Sequence, residues 1–259
     1  MSEQVLYEVY CGVGTAMFNR PQARNAMTFA MYERLSQICE EVERDDEVKV
    51  LVLTGAGEKA FAAGTDIGEF RAFSKPQDAL DYEARIDHLL SRLESLSKPT
   101  IASVAGACTG GGAAIAMMCD LRICAGNAKF GVPIARTLGN CLSIANLARI
   151  SSLIGAARTK DLIFTARLLS AHEAHIAGLV SEVVPEVADL AARTTELAQQ
   201  IAGFAPLTLR ATKIAMLRLR EKAGLPEDAD LIGMCYDSAD FREGMEAFLS
   251  KRAPVWRGE

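Results

Sequence analysis

The chain is expected to adopt an α/β fold. Short apolar runs closed by turn residues alternate with longer stretches of helical spacing, and 259 residues suffice for one such domain with an appendage. The strand-like runs are VKVLVLTGAG (48–57), KPTIASVAG (98–106), DLRICAG (120–126) and GLVSEVVP (178–185). Between them, FAMYERLSQICEEVERDD (29–46), DYEARIDHLLSRLESLS (81–97) and AIAMMC (114–119) carry apolar residues at helical intervals. From about residue 190 the strand signals stop and helical patterns take over. The expected organisation is a core over 1–190 and a helical region over 191–259, too short for much of a core alone and so packed on the main domain or on another subunit.

Half of the residues are hydrophobic and 24% are charged, as in ordinary globular proteins. The net charge of −5 argues against a nucleic-acid partner, which needs a basic face to neutralise phosphates. No apolar run approaches the ~18–20 residues of a membrane span, and MSEQVLYEVY lacks the basic and apolar regions of a signal peptide. A cytoplasmic protein without membrane attachment is expected. The seven cysteines are an odd number without paired metal-ligand spacing and read as free thiols. His172 and His175 stand three apart with no third ligand, whereas Ser170 and Glu173 form a capping-box signature and Gly178 is placed to end the helix. No metal is expected.

Two glycine-rich loops follow apolar strands: KAFAAGTDIGEF (59–70) and GACTGGGAAIAMM (106–118). The second runs into a helix, so N–H groups near Gly110, Gly111 and Gly112 are unpaired helix-start donors that favour negative charge. Three uses remain open at this point: phosphate binding, a close approach of helix and strand, or an oxyanion hole. A nucleotide loop is disfavoured because no Lys-Ser/Thr pair follows the glycines and no G-x-G-x-x-G is present.

Several ordered motifs together resemble the crotonase (enoyl-CoA hydratase/isomerase) superfamily: NRPQARNAM (19–27), FAAGTDI (61–67), GACTGGGAAIAMMCDLRICA (106–125), AKFGVP (128–133), LLSAHEAHIAGLVSEVVP (168–185) and DFREGMEAFLSKRAPVW (240–256). The resemblance implies a crotonase-type spiral of ββα repeats followed by a helical C-terminal trimerisation region, giving a homotrimer or a dimer of trimers. It implies an acyl-CoA thioester bent across the two loops, with coenzyme A part of the substrate and no separate cofactor. The family's backbone oxyanion hole maps to Thr65 and Gly111, and substrate contacts map to Ala23, Arg24, Ala62, Ala63, Gly64, Asp66, Ile67, Gly110, Pro133, Ile134 and Lys251.

This sequence also departs from the family's pattern. Typical hydratases of this family carry one glutamate just after the glycine triplet and one after the proline of the FGxP segment; here those positions are Ala114 and Ile134, neither of which moves a proton. Losing both acid–base groups, each worth ~10²–10⁴ in rate, leaves ordinary hydration in doubt. The segment ARTLGNCLSIANLARI (135–150) offers Arg136 as a carboxylate binder, Asn140 as a donor and Cys141 as a nucleophile, or merely a surface charge, a turn residue and a buried hydrophobe. In the resemblance, helix 81–97 is a wall of the acyl pocket; its Tyr82, Glu83, Arg85, Asp87 and His88 offer a substitute acid or base, Glu83 and His88 foremost, or are merely the charged positions of a half-buried helix. The leading expectation is an enzyme that stabilises a thioester enolate. The alternatives are a malonyl-type acyl-CoA decarboxylase or related lyase or hydrolase, and a non-catalytic acyl-CoA-binding protein.

Overall fold

The computed structural model describes residues 3–221 and 229–257. An antiparallel hairpin of β1 (Val5–Tyr10) and β2 (Val13–Phe18) opens the chain, turning at Cys11 and Gly12, both at positive φ. Helix α1 (Phe29–Arg44) follows, N-capped by Thr28, whose side chain accepts from the Met31 N–H. Three turns of a spiral come next. Each sends one strand to a large sheet, one to a small sheet and then a helix: β3 (Val50–Gly55), β4 (Ala60–Ala62), α2 (Pro76–Ser95); β5 (Thr100–Val104), β6 (Ala107–Thr109), α3 (Gly111–Met118); β7 (Leu121–Ala125), β8 (Lys129–Gly131), then α4 (Ile134–Thr137), α5 (Ile144–Ile154) and α6 (Ala156–Phe164). The two-residue β9 (Leu169–Ser170), α7 (Ala171–Ile176) and β10 (Glu182–Val184) complete the sheets.

The large sheet has the order β1-β2-β3-β5-β7-β10 and is parallel beyond its first hairpin; the small one is β4-β6-β8-β9. Strand β3 shows why the large sheet is covered twice. Leu51 and Leu53 point into the main core with α1, α2 and α3, whereas Val50 and Val52 face the opposite side with Ile101, Ile123 and Val184. That second face is closed by α8 (Val187–Ala202) through Leu190, Ala198 and Ile201, and the Ser103 and Thr194 hydroxyls bond there at 2.8 Å. The boundary expected at residue 190 therefore falls inside a helix that packs on the sheet. Helices α9 (Pro206–Glu221), α10 (Ala229–Tyr236) and α11 (Ala239–Leu249) follow, with α10 against α2 and α11 against the loop after β4. The Ser170–Glu173 capping box forms as expected, with Gly178 at positive φ just past the helix. Among the described residues no helix is long and apolar enough to cross a membrane.

The segment before α1 sets the path of the loop after β4. Arg24 and Asn25 take left-handed φ values of 51° and 54°. Residues 24–27 then run alongside 63–66, through Ala63 N–H to Arg24 O, Met27 N–H to Gly64 O and Asp66 N–H to Met27 O. Asn25 is fully buried. Its amide donates to Ala60 O (2.7 Å) and Ala56 O (3.1 Å) and its Oδ1 accepts from the Arg20 N–H (2.9 Å). Asn25→Ala removes these bonds and leaves buried carbonyls unpaired, so urea denaturation should show a stability loss of about 2–4 kcal/mol.

Candidate active site

Strands β4 and β6 are parallel neighbours, with Ala60 opposite Ala107 and Ala62 opposite Cys108. The chain leaves both at the same carboxyl edge, the usual place for a ligand in such sheets. There Gly64 and Thr65 meet Gly110 and Gly111. A Cβ on Gly112 would lie 2.3 Å from Ala62 O, and one on Gly111 would lie 2.1 Å from the Tyr32 hydroxyl, so Gly112 is held to glycine by the β4 backbone and Gly111 by the Tyr32 side chain. The hydrogen bonds beside Thr65 are made by its neighbours, Gly64 O and Asp66 N, and Gly111 is the first residue of α3. Neither the Thr65 N–H nor the Gly111 N–H has an acceptor among the described residues. Two free amide donors thus face one space, one of them at the positive end of a helix.

Three hydroxyls gather beside them. Thr65 Oγ1 lies 2.8 Å from Tyr32 Oη of α1 and 3.0 Å from Tyr82 Oη of α2. Burial pushes the Tyr32 phenol up to about 12, opposed by its bond to Thr65, and burial raises Tyr82 further. Both remain neutral hydrogen-bonding groups over any working pH.

The two N–H groups open on a cavity of about 210 Å³ walled by Ile67, Phe70, Ile86, Ile134, Leu138 and Leu142, among others. Glu83 is the one charged residue among the described lining residues, and it is only 6% exposed. It belongs to the buried stripe of α2 with Ala79, Tyr82, Ile86, Leu90 and Leu93. Its Oε1 accepts the Tyr236 hydroxyl of α10, and Tyr236 Oη accepts from Asn140 Nδ2 at 3.1 Å. Farther along α2, Arg149 of α5 reaches Asp87 (3.3 Å), Ser91 (2.7 Å) and Glu94 (3.3 Å), a grip that fixes the helix carrying Glu83. A carboxylate that lines the same largely apolar cavity as a pair of backbone donors suits proton transfer coupled to charge growing on a carbonyl oxygen.

Comparison with known proteins shows the family. A sequence profile described as enoyl-CoA hydratase/isomerase matches residues 8–259. The chain belongs to the enoyl-CoA hydratase/isomerase family. It is 36% identical to the short-chain-enoyl-CoA hydratase of Clostridium acetobutylicum over 96% of this chain and 95% of that one. It is 34% identical to the crotonyl-CoA hydratase of Syntrophomonas wolfei over 96% of each. Among solved structures it resembles methylmalonyl-CoA decarboxylase in complex with 2-nitronate-propionyl-CoA, with a TM-score of 0.90 and 29% identity over 99% of both chains.

Within this family's fold, Ala63, Gly64, Thr65, Ile67, Gly110, Gly111, Pro133, Ile134 and Asn140 all line the one cavity. Ala114 and Ile134, where the family resemblance leads a glutamate to be expected, line it too, with apolar side chains. Ala62 is buried beneath the loop. Asp66 is held by Arg20 at 3.1 Å and caps the Gly68 N–H, so its carboxylate organises the loop. Ala23 and the exposed Arg24 lie on the turn beside Ala63, and Lys251 is exposed three residues beyond Phe248, which lines the cavity.

Arg136 and Cys141 are not brought to the donors. The single turn of α4 directs Ile134 and Thr137 inward and leaves Arg136 exposed, and Cys141 is half-buried against the core outside the lining. Asn140 lines the cavity, but its amide N–H groups go to Tyr236 and, at 3.5 Å, to Cys141 O. His88 lies on the exposed side of α2 against Arg92. Sequence reasoning passed over Tyr32 and Tyr236 and ranked Glu83 no higher than His88. The usable signal was helical register, since Glu83 is a lone acid in an otherwise apolar stripe while His88 falls on the outer face.

Gly111→Ala should lower turnover of an acyl-CoA thioester about 10²–10³-fold, the cost of displacing one oxyanion donor. Part of that loss should return in the Tyr32→Phe background. Removing the Tyr32 Oη contact leaves Thr65 Oγ1, 2.9 Å from the added Cβ, as the closest neighbour.

Proposed function

We propose that this chain moves a proton at the α-carbon of an acyl-CoA thioester. The Thr65 and Gly111 N–H groups hold the thioester oxygen and Glu83 carries the proton. The carboxylate takes the α-proton, the C–H electron pair becomes the enolate double bond, and the charge on oxygen is held by the two amides. Return of that proton to the γ-carbon converts a 3-enoyl thioester to a 2-enoyl thioester; where the Glu83 carboxyl first trades its proton with solvent, return to the α-carbon gives α-hydrogen exchange. The observation that carries this reading is that one carboxylate, and no second acid among the described lining residues, shares the cavity with the two free N–H groups. A double-bond shift needs one such group. Conversion of a 3-enoyl-CoA in D₂O, followed by the ultraviolet absorbance of the conjugated thioester and by mass spectrometry for deuterium and added water, should give the 2-enoyl product, with water added far more slowly. Glu83→Gln should slow the conversion by about 10²–10⁴-fold, and a full rate in that variant would remove Glu83 from the role.

The fold match to methylmalonyl-CoA decarboxylase supports a second reading, in which loss of CO₂ from a malonyl-type thioester generates the same enolate. Glu83 would repel a substrate carboxylate, and no described lining residue is cationic, so the structure favours the first. Release of CO₂ from methylmalonyl-CoA faster than isomerisation of a 3-enoyl-CoA would reverse that order. The same reading includes assembly as a trimer or a pair of trimers through the C-terminal helices, supported by exposed Phe204, Leu207, Met216 and Leu219.

A further inference from the structure

Tyr236 ends α10, well over a hundred residues from Glu83 in sequence, yet its side chain is 5% exposed and its hydroxyl reaches the carboxylate. The ring is fixed against Phe241 of α11 at 4.8 Å between centroids, and Phe241 packs on Phe70 of the cavity wall at 6.0 Å. A phenol has one proton to give. Because that proton goes to Glu83, the bond from Asn140 to the same oxygen must come from the amide N–H. Turned that way, Asn140 leaves its Oδ1 buried with no partner among the described residues. An amide kept in an orientation that orphans its own carbonyl is a cost that folds accept chiefly at working sites. Here the return is a phenol loaded by one donor and directed at the cavity's only described carboxylate.

We propose that Tyr236 is a positioning residue for Glu83 and, together with Asn140, sets the pH range in which Glu83 serves as the base; this rests on Glu83 being the proton carrier of the preceding reading. A hydrogen bond given to a carboxylate favours its ionised form, and the Asn140 N–H on Tyr236 Oη makes the phenol a stronger donor. The bond also holds one carboxylate oxygen. The other groups facing Glu83 do not compete for that role. Tyr82 on its own helix and Tyr32 from α1 are phenols pushed up by burial, Tyr236 is raised by burial and by the Glu83 charge, and Asp87 one turn along α2 is paired with Arg149 of α5. Helices α4 and α11 present Ile134, Thr137 and Phe248 to the cavity, none of them ionisable over this range.

The test is the pH dependence of kcat/KM for conversion of a 3-enoyl-CoA, or for α-proton exchange, in the full-length protein and in Tyr236→Phe, Asn140→Ala and Glu83→Gln. In Tyr236→Phe the acid limb should move up by about one pH unit and the plateau should fall, with KM little changed. Asn140→Ala should move the limb in the same direction by less, and it reads the same linkage if Tyr236→Phe fails to fold. A Tyr236→Phe limb that coincides with the wild-type limb, even beneath a lower plateau, overturns the proposal, because a merely structural role lowers rates without moving the profile. If Glu83→Gln keeps both rate and profile, the preceding reading falls and this one with it. If Glu83→Gln is inactive while the limb stays put in the other two variants, only this inference fails.

Discussion

Strands β4 and β6 lie side by side and run in the same direction, and the chemistry of the cavity depends on that pairing. Each strand alone would end in an ordinary glycine loop. Parallel pairing at adjacent positions brings both loops to one edge, where the Thr65 and Gly111 amides stand free over the same space. The geometry is backbone geometry, so its constraint on sequence is mainly steric. Side chains must stay out of the contact, which is why Gly112 lies against Ala62 and Gly111 against Tyr32. Asn25 serves the same end from outside, by holding the strand on which the first loop rests.

The second half of the site is made of side chains and comes from helices. Glu83, Tyr82 and Tyr32 reach the loops from α2 and α1, and Tyr236 comes from the C-terminal helices. A buried carboxylate is costly unless its hydrogen bonds are met, and Tyr236 meets part of that requirement. Helix α2 must itself be steady for the arrangement to hold, which the buried Arg149 secures through Asp87, Ser91 and Glu94. The backbone donors and the side chains around them are thus supplied by different layers of the fold.

The apolar residues Ala114 and Ile134 fit this division. Both sit on the cavity wall, and neither side chain takes anything from the N–H pair. The aromatic cluster of Phe29, Phe70, Phe73 and Tyr82 encloses the neighbouring side. Such an enclosure lowers the local dielectric, which strengthens the amide donors and keeps the phenols neutral.

Much of this was legible in the chain itself. Strands β3, β5, β7 and β10 follow from apolar runs closed by turn residues, α1 and α2 from helical periodicity, the α7 cap from Ser170 and Glu173, and the two donors from ordered motifs in the glycine loops. The first hairpin, the short strands of the small sheet and the attachment of α8 to the large sheet were not, since two or three residues carry too little pattern and α8 is defined by what it covers. Ordered motifs along the chain, through the family they resemble, determined the fold class and pointed to the Thr65 and Gly111 N–H pair, because backbone donors lie in short local segments of sequence. A proton carrier is defined by where a side chain ends in space. Only tertiary packing could set the inner face of α2, which brings Glu83 into the cavity beside Tyr236, apart from the outer face that carries His88.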